Sequence, residues 1–181
     1  MQKTTCCFTG HRPQNLPFGF NEEDPRCLEL KKVLQNVIEK LYESGVRHFI
    51  TGMAIGVDMY AAEIVIELRK THPDITLESA IPCETQAIRW SVAMQERYYD
   101  IASKCDKETM LQHRYTPDCM QKRNEYMVDN SDYVVAVWDG GRSGTANTVE
   151  YAKTKGKGIV RIDPVTLKLS HFGLPLSKKK E

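Results

Sequence analysis

The run Tyr133-Val134-Val135-Ala136-Val137-Trp138 carries no charge and no polar/apolar alternation. A β-rich segment that is apolar on both faces must be covered on both faces, which is the situation of a strand inside a parallel sheet layered with helices. Shorter β-rich runs recur at Thr4–Thr9, His48–Thr51, Thr76–Ile81, Glu108–Leu111 and Gly158–Ile162, with Asp132–Trp138 as the fifth of six. Helical patterns lie between them. Asp24-Pro25 reads as an N-cap followed by proline at the first helical position, and Leu30, Leu34, Val37, Ile38 and Leu41 then repeat at helical spacing until Gly45. Further helices are predicted over Val57–Lys70, Thr85–Ser103, Thr116–Asn130 and from Gly144 to just before Gly156. Strand and helix in strict alternation specify an α/β fold, a doubly wound and mostly parallel sheet of about six strands with helices on both faces.

The chain has 181 residues, and no composition break divides it, so one domain is expected over 1–181. Its core spans about 4–163, with 164–181 as a C-terminal extension that ends in a solvated tail at Lys178-Lys179-Lys180. Hydrophobic residues at 41% and charged residues at 27% are those of an ordinary globular protein. Lys plus Arg (25) nearly balances Asp plus Glu (24), leaving a net charge of +1. There is no global field for gripping nucleic acid, which makes it a disfavoured partner that only a local basic patch would restore. No apolar stretch approaches the ~20 residues of a membrane span, so no membrane partner is expected. Met1-Gln2-Lys3-Thr4-Thr5 leads into a run too short for a signal peptide. Cys6, Cys7, Cys27, Cys83, Cys105 and Cys119 form no C-x-x-C pair and no zinc spacing. A cytoplasmic protein with free thiols and no metal is expected. Cys6 and Cys7, adjacent in a strand, should point to opposite faces.

In an open α/β sheet, ligands bind beyond the carboxyl ends of the strands. Three predicted strands end there in glycine: Thr9-Gly10-His11-Arg12-Pro13, Thr51-Gly52-Met53-Ala54-Ile55-Gly56-Val57-Asp58, and Asp139-Gly140-Gly141-Arg142-Ser143-Gly144-Thr145. Each offers main-chain amides unshielded by side chains, and two lead directly into helices whose N-termini favour anions. Phosphate or ribose-phosphate binding is favoured over plain turn chemistry. There is no G-x-x-x-x-G-K-[ST], and the first β-α turn lacks G-x-G-x-x-G, so neither a P-loop nor standard NAD binding is expected and no cofactor is assigned.

The same residues carry a resemblance. Thr51–Asp58 resembles the S-G-x-A-x-G-I-D segment of the Smf/DprA family. Met120-Gln121-Lys122-Arg123-Asn124 with Asp139–Thr145 resembles the M-x-x-R-K … P-G-G-x-G-T pattern of the LOG phosphoribohydrolases. Both belong to the SLOG superfamily, and Phe8-Thr9-Gly10-His11-Arg12-Pro13 with Trp138-Asp139-Gly140 most resembles its YpsA family, over Thr5 to Ile162. The resemblance implies a Rossmann-like fold and a nucleotide-derived ligand, without an established reaction. In the hydrolases the G-T is followed by x-x-E, whose glutamate acts with the arginine. Here that position is Thr148, and Glu150 lies about 200° further round the helix, on another face.

The residues singled out for ligand binding are Thr9, Gly10, His11, Arg12, Gly52, Met53, Gly56, Asp58, Arg123, Asn124, Asp139, Gly140, Gly141, Ser143, Gly144 and Thr145. Arg123 is read as a bidentate phosphate clamp, with Asn124 as a second contact or as its orienter. His11 and Arg12 either donate to phosphate or form a loop anchored by Pro13. Asp58 either bonds a ribose hydroxyl or caps the second helix. Ser143 and Thr145 either donate hydroxyls or cap the fifth helix. Asp139 either repels anions or favours a ribose or base contact. Glu84, Gln86, Arg89 and Trp90 offer base stacking and edge hydrogen bonds, or simply start a helix with a half-buried tryptophan. Catalytic residues are unassigned. Three functions stand in order: a nucleotide-binding sensor or regulatory module, a nucleoside-monophosphate N-glycosidase with Asp58, Glu63, Glu84 or Glu150 as its acid, and a single-stranded DNA binder. Self-association into a homo-oligomer is left open.

Overall fold

A computed structural model describes residues 4–173 of the chain; the lysine run Lys178–Lys180 lies outside them. The strands are β1 (Thr4–Gly10), β2 (Val46–Thr51), β3 (Thr76–Ile81), β4 (Lys107–Met110), β5 (Tyr133–Val137), β6 (Gly158–Ile162) and β7 (Leu169–Phe172). Between them run α1 (Pro25–Glu43), α2 (Val57–Arg69), α3 (Val92–Ser103), α4 (Cys119–Asp129) and α5 (Gly144–Thr154). The sheet order is β4-β3-β2-β1-β5-β6-β7, parallel throughout except that β7 returns antiparallel on β6. β1 is central, with β2 on one side and β5 on the other. The chain therefore reverses its winding between β1 and β5, and the crevice this opens at their carboxyl ends is where a doubly wound sheet places its ligand.

Two cores result. Phe8, Phe49, Leu77, Val135 and Val160 face one way and pack beneath the helices α1, α2 and α3. Cys7, Ile50, Ala80, Val134 and Ile159 face the other and pack with Met127 and Val128 of α4 and Val149 and Ala152 of α5. Cys6 belongs to the first core and Cys7 to the second, as their adjacency in a strand requires. Burial pushes the Cys7 thiol up to about 12 and Cys6 well above its ordinary value, so both are inert packing. On α1 the Asp24 carboxylate accepts from the Arg26 amide at 2.8 Å, and Leu30, Leu34, Ile38 and Leu41 are fully buried. Each of these side chains contributes about 1.5–3 kcal/mol.

The sequence reading differs from the fold in three places. A seventh strand occupies part of the segment expected as an extension; its four residues Leu-Ser-His-Phe are mostly exposed and carry no apolar run. α3 begins at Val92 rather than near Thr85, because Ser91 is the N-cap, accepting from the Met94 amide at 3.3 Å. α4 begins at Cys119, one turn after the Thr116-Pro117 pair; the Thr116 hydroxyl instead donates to Asp118 at 2.7 Å.

One polar cluster beneath α4 had no sequence signal. Glu78 of β3, only 2% exposed, accepts from Tyr126 at 2.6 Å and from Thr109 at 2.7 Å, and meets His48 Nε2 at 2.8 Å. Burial pushes this carboxyl up, but the bonds from His48, Tyr126 and Thr109 outweigh it and hold it at about 2, against an ordinary 4.5. The folded state thus binds the proton later than the unfolded one. Stability of about 3 kcal/mol is expected to be complete above pH ~4.5 and to be lost as pH falls towards ~2. Urea unfolding at about pH 5 and pH 3 should show this loss in the wild type and a much smaller one in Glu78→Gln.

Candidate anion-binding cleft

The carboxyl end of β1, α4 and the N-terminus of α5 enclose a cleft of about 200 Å³. Ten of the sixteen residues singled out in the sequence line it: Thr9, Gly10, His11, Arg12, Asp58, Arg123, Asn124, Ser143, Gly144 and Thr145. Phe8, Asn15, Ala54 and Met120 join them. Of these four, Met120 was legible, since an i, i+3 spacing puts it on the same helix face as Arg123.

Arg123 is 3% exposed. Its partners are neutral: Nη1 donates to the Gly52 carbonyl, Nε to Asn124 Oδ1 at 2.8 Å, and Nη2 approaches Met120 Sδ at 3.9 Å. Among the described residues no carboxylate lies within 4 Å of either Arg123 or Arg12, and the buried Asp58 carboxylate acts on both from beyond that distance. Burial depresses the Arg123 pKa and the nearby Asp58 charge opposes that shift. Asp58 is buried too, and burial pushes its carboxyl up while Arg123 partly offsets it. A buried cation without an ion pair is costly to keep, and in this position it faces an open cleft.

α5 supplies the second element. Ser143 is its N-cap and accepts from the Ala146 amide at 3.1 Å. The Gly144 and Thr145 amides precede any intrahelical acceptor and line the cleft, with the helix dipole behind them. His11, 4% exposed, accepts from the Asp139 amide through Nε2 at 3.2 Å, which ties the β1 loop to the β5 loop. The loop after β1 is fixed from its far end by Arg97, which donates to Glu22 at 2.8 Å and to Glu63 of α2 at 2.5 Å.

Six of the sixteen residues stand outside the cleft lining. At the end of β2, Gly52 contributes its carbonyl rather than its amide, and that carbonyl is turned onto Arg123 and Gln86. A Cβ at Gly52 would lie 2.8 Å from both Arg123 Nη1 and Asp58 Oδ2, so glycine is what admits the guanidinium. Met53 is buried, with φ 59°, and donates its amide to the Thr51 hydroxyl at 3.2 Å. Gly56 is the N-cap of α2 and packs against the backbone of His11. The Asp139-Gly140-Gly141 turn folds against Trp138, whose Nε1 donates to the Gly141 carbonyl at 2.7 Å. Asp139 accepts from the Gly141 amide, which with the nearby His11 holds its carboxyl below the ordinary range despite some burial. Asp58 does not cap α2 either: it sits inside the first turn and reaches back to the Ala54 amide at 3.3 Å.

The chain matches the YpsA profile, described as the YspA SLOG family, over residues 6–167. The chain belongs to the YpsA family. Within reach of this family it is 37% identical over 157 residues to the SPbeta prophage-derived protein YoqJ of Bacillus subtilis, covering 78% of this chain and 92% of that one. It is 31% identical over 150 residues to the UPF0398 protein BH1768 of Halalkalibacterium halodurans, covering 81% and 79%. Two solved structures share the fold. DprA from Streptococcus pneumoniae superposes with a TM-score of 0.60 at 15% identity, over 89% of this chain and 50% of that one. DprA from Helicobacter pylori, solved to show its single-stranded DNA binding mode, gives 0.60 at 16% over 89% and 66%. The YpsA chain thus spans about half to two thirds of these DprA chains, and the likeness bears on fold alone.

Proposed function

We propose that this YpsA-family chain binds a nucleotide or nucleotide derivative through its phosphate or ribose-phosphate at the strand C-terminal rim, as a sensor or regulatory module. The observation that carries this reading is Arg123, a buried guanidinium whose hydrogen-bond partners are all neutral and which lines the same cleft as Gly144 and Thr145, the first residues of α5. Arg12 stands exposed at the same cleft and adds a second cation without a carboxylate within 4 Å. A phosphate there would accept charge-assisted bonds from both guanidinium and helix N-terminus. A reducing, cytoplasmic setting suits the six free cysteines. Among the described residues no helix is long and apolar enough to cross a membrane.

A glycosidase finds little support. Thr148 is buried and donates its hydroxyl to the Gly144 carbonyl at 3.0 Å, while Glu150 is exposed and paired with Lys153 at 2.9 Å. Glu63 is engaged by Arg97 and Glu84 meets His113 at 2.7 Å. That leaves Asp58 as the acid among those four that lines the cleft. Single-stranded DNA binding is the second reading, favoured by the H. pylori DprA likeness and opposed by the net charge of +1. Calorimetric titration with ribose 5-phosphate should give sub-millimolar binding of one equivalent, whereas an oligonucleotide gel shift should give none at about 150 mM salt. Salt-sensitive oligonucleotide binding without ribose 5-phosphate binding would reverse the order of the two readings.

A further inference from the structure

A second groove of about 720 Å³ opens beside the cleft, lined by Cys83, Gln86, Ile88, Trp90, Tyr115 and Met120 among others. Met120 lines both spaces, and the Gly52 carbonyl joins them as well, since it accepts from Arg123 on one side and from Gln86 Nε2 at 3.0 Å on the other. Gln86 is 8% exposed, and among the described residues its Oε1 has no hydrogen-bond partner. Rotating the amide would not cure this, because Oε1 would then face the Gly52 carbonyl oxygen. One Nε2 hydrogen is committed to that carbonyl, which leaves Oε1 as a buried acceptor in the wall of the groove that Gln86 lines. Such an atom costs about 1–3 kcal/mol until a donor reaches it.

The groove walls suit a flat aromatic ligand. Trp90 is half-buried, with its ring edge-to-face on Tyr98 at a centroid distance of 5.6 Å. Tyr115 is 63% and Ile88 67% exposed, which leaves apolar faces open to solvent in the same groove as Gln86. Aromatic and thioether surfaces of this kind stack nucleobases without selecting among them, and a single fixed acceptor adds the selection. We infer that this groove is a base subsite that takes a heteroaromatic base bearing an N–H donor, read by Gln86 Oε1, with the 5′-phosphate of the same nucleotide in the Arg123 cleft. This inference rests on the phosphate reading of that cleft and extends it from phosphate to base.

The test uses three probes on the full chain: ribose 5-phosphate, AMP, and purine riboside 5′-monophosphate, which is AMP without its amine and has no N–H on the base. AMP is expected to bind about a hundredfold tighter than ribose 5-phosphate, from stacking and the hydrogen bond together. It should bind about tenfold tighter than purine riboside 5′-monophosphate, from the hydrogen bond alone. In Gln86→Met the second ratio should fall to near one, and in Trp90→Ala the first ratio should shrink while the second persists. If ribose 5-phosphate binds and AMP binds no tighter, the base subsite falls and the phosphate cleft stands. Equal affinity for AMP and purine riboside 5′-monophosphate would mean that solvent satisfies Gln86, and would overturn its assigned role even if no Gln86 variant folds. If neither ribose 5-phosphate nor AMP binds, both readings fall together.

Discussion

Arg123→Met abolishes the response to ribose 5-phosphate, weakening it at least about a hundredfold, and leaves the folded protein as stable as the wild type or more so. The two halves of this expected result have one cause. Removing a buried charge-assisted donor from an anion costs about 2–5 kcal/mol of binding. In the unliganded fold the same guanidinium is desolvated without a carboxylate within 4 Å, and an apolar side chain of similar length removes that desolvation cost. The Gly52 carbonyl is not orphaned by the change, since Gln86 Nε2 still donates to it at 3.0 Å. Asp58, whose carboxyl burial already pushes up, loses the cation that offsets that shift and takes up a proton more readily. Urea unfolding and calorimetry on the same sample check both halves. A loss of more than about 2 kcal/mol in stability with binding retained would mark Arg123 as a structural residue.

Gly56→Ala is expected to cost about 3 kcal/mol or more in urea unfolding and to weaken ligand binding as well. Gly56 has φ +100° and ψ −131°, a region that a Cβ strains, and a Cβ built there lies 2.9 Å from the His11 carbonyl oxygen and 3.0 Å from Pro13 Cδ. The neighbour is backbone, so relief requires moving the loop that carries His11 and Arg12. Gly19→Ala is the control: it has φ +58° with nothing within 4 Å of its Cβ, and should cost about 1 kcal/mol. The difference between the two isolates close approach from backbone conformation.

How much of this was legible in the sequence differs by level. Strands and helices followed from burial on two faces and from caps, because Tyr133–Val137 must be covered and Asp24-Pro25 must start a helix. β7 escaped because an edge strand paired on one side needs no apolar pattern, and the true start of α3 was hidden by an equally plausible turn of residues before Ser91. At the site, the rim position and Arg123 followed from strand-end glycines and a motif. The role of each glycine did not, because composition cannot tell an amide offered to a ligand from a Cβ that must be absent. Gly52 admits a guanidinium and the Gly140–Gly141 turn packs on Trp138, neither of which lines the cleft. Gln86 was named from the sequence for base-edge hydrogen bonds, but its bond to Gly52 and the cluster around Glu78 depend on contacts 34 and 48 residues distant, beyond the reach of any local pattern.

The central claim is that the Gly144 and Thr145 amides and the Arg123 guanidinium converge on one bound anion. Amide and guanidinium resonances followed by NMR during titration with ribose 5-phosphate test it most directly. The account predicts that Gly144 N–H, Thr145 N–H and Arg123 Nε–H shift together along one saturation curve, while the Gly141 amide, already bonded to Asp139, stays still. Saturating shifts confined to other loops, or no shift at any of the three groups, would contradict it.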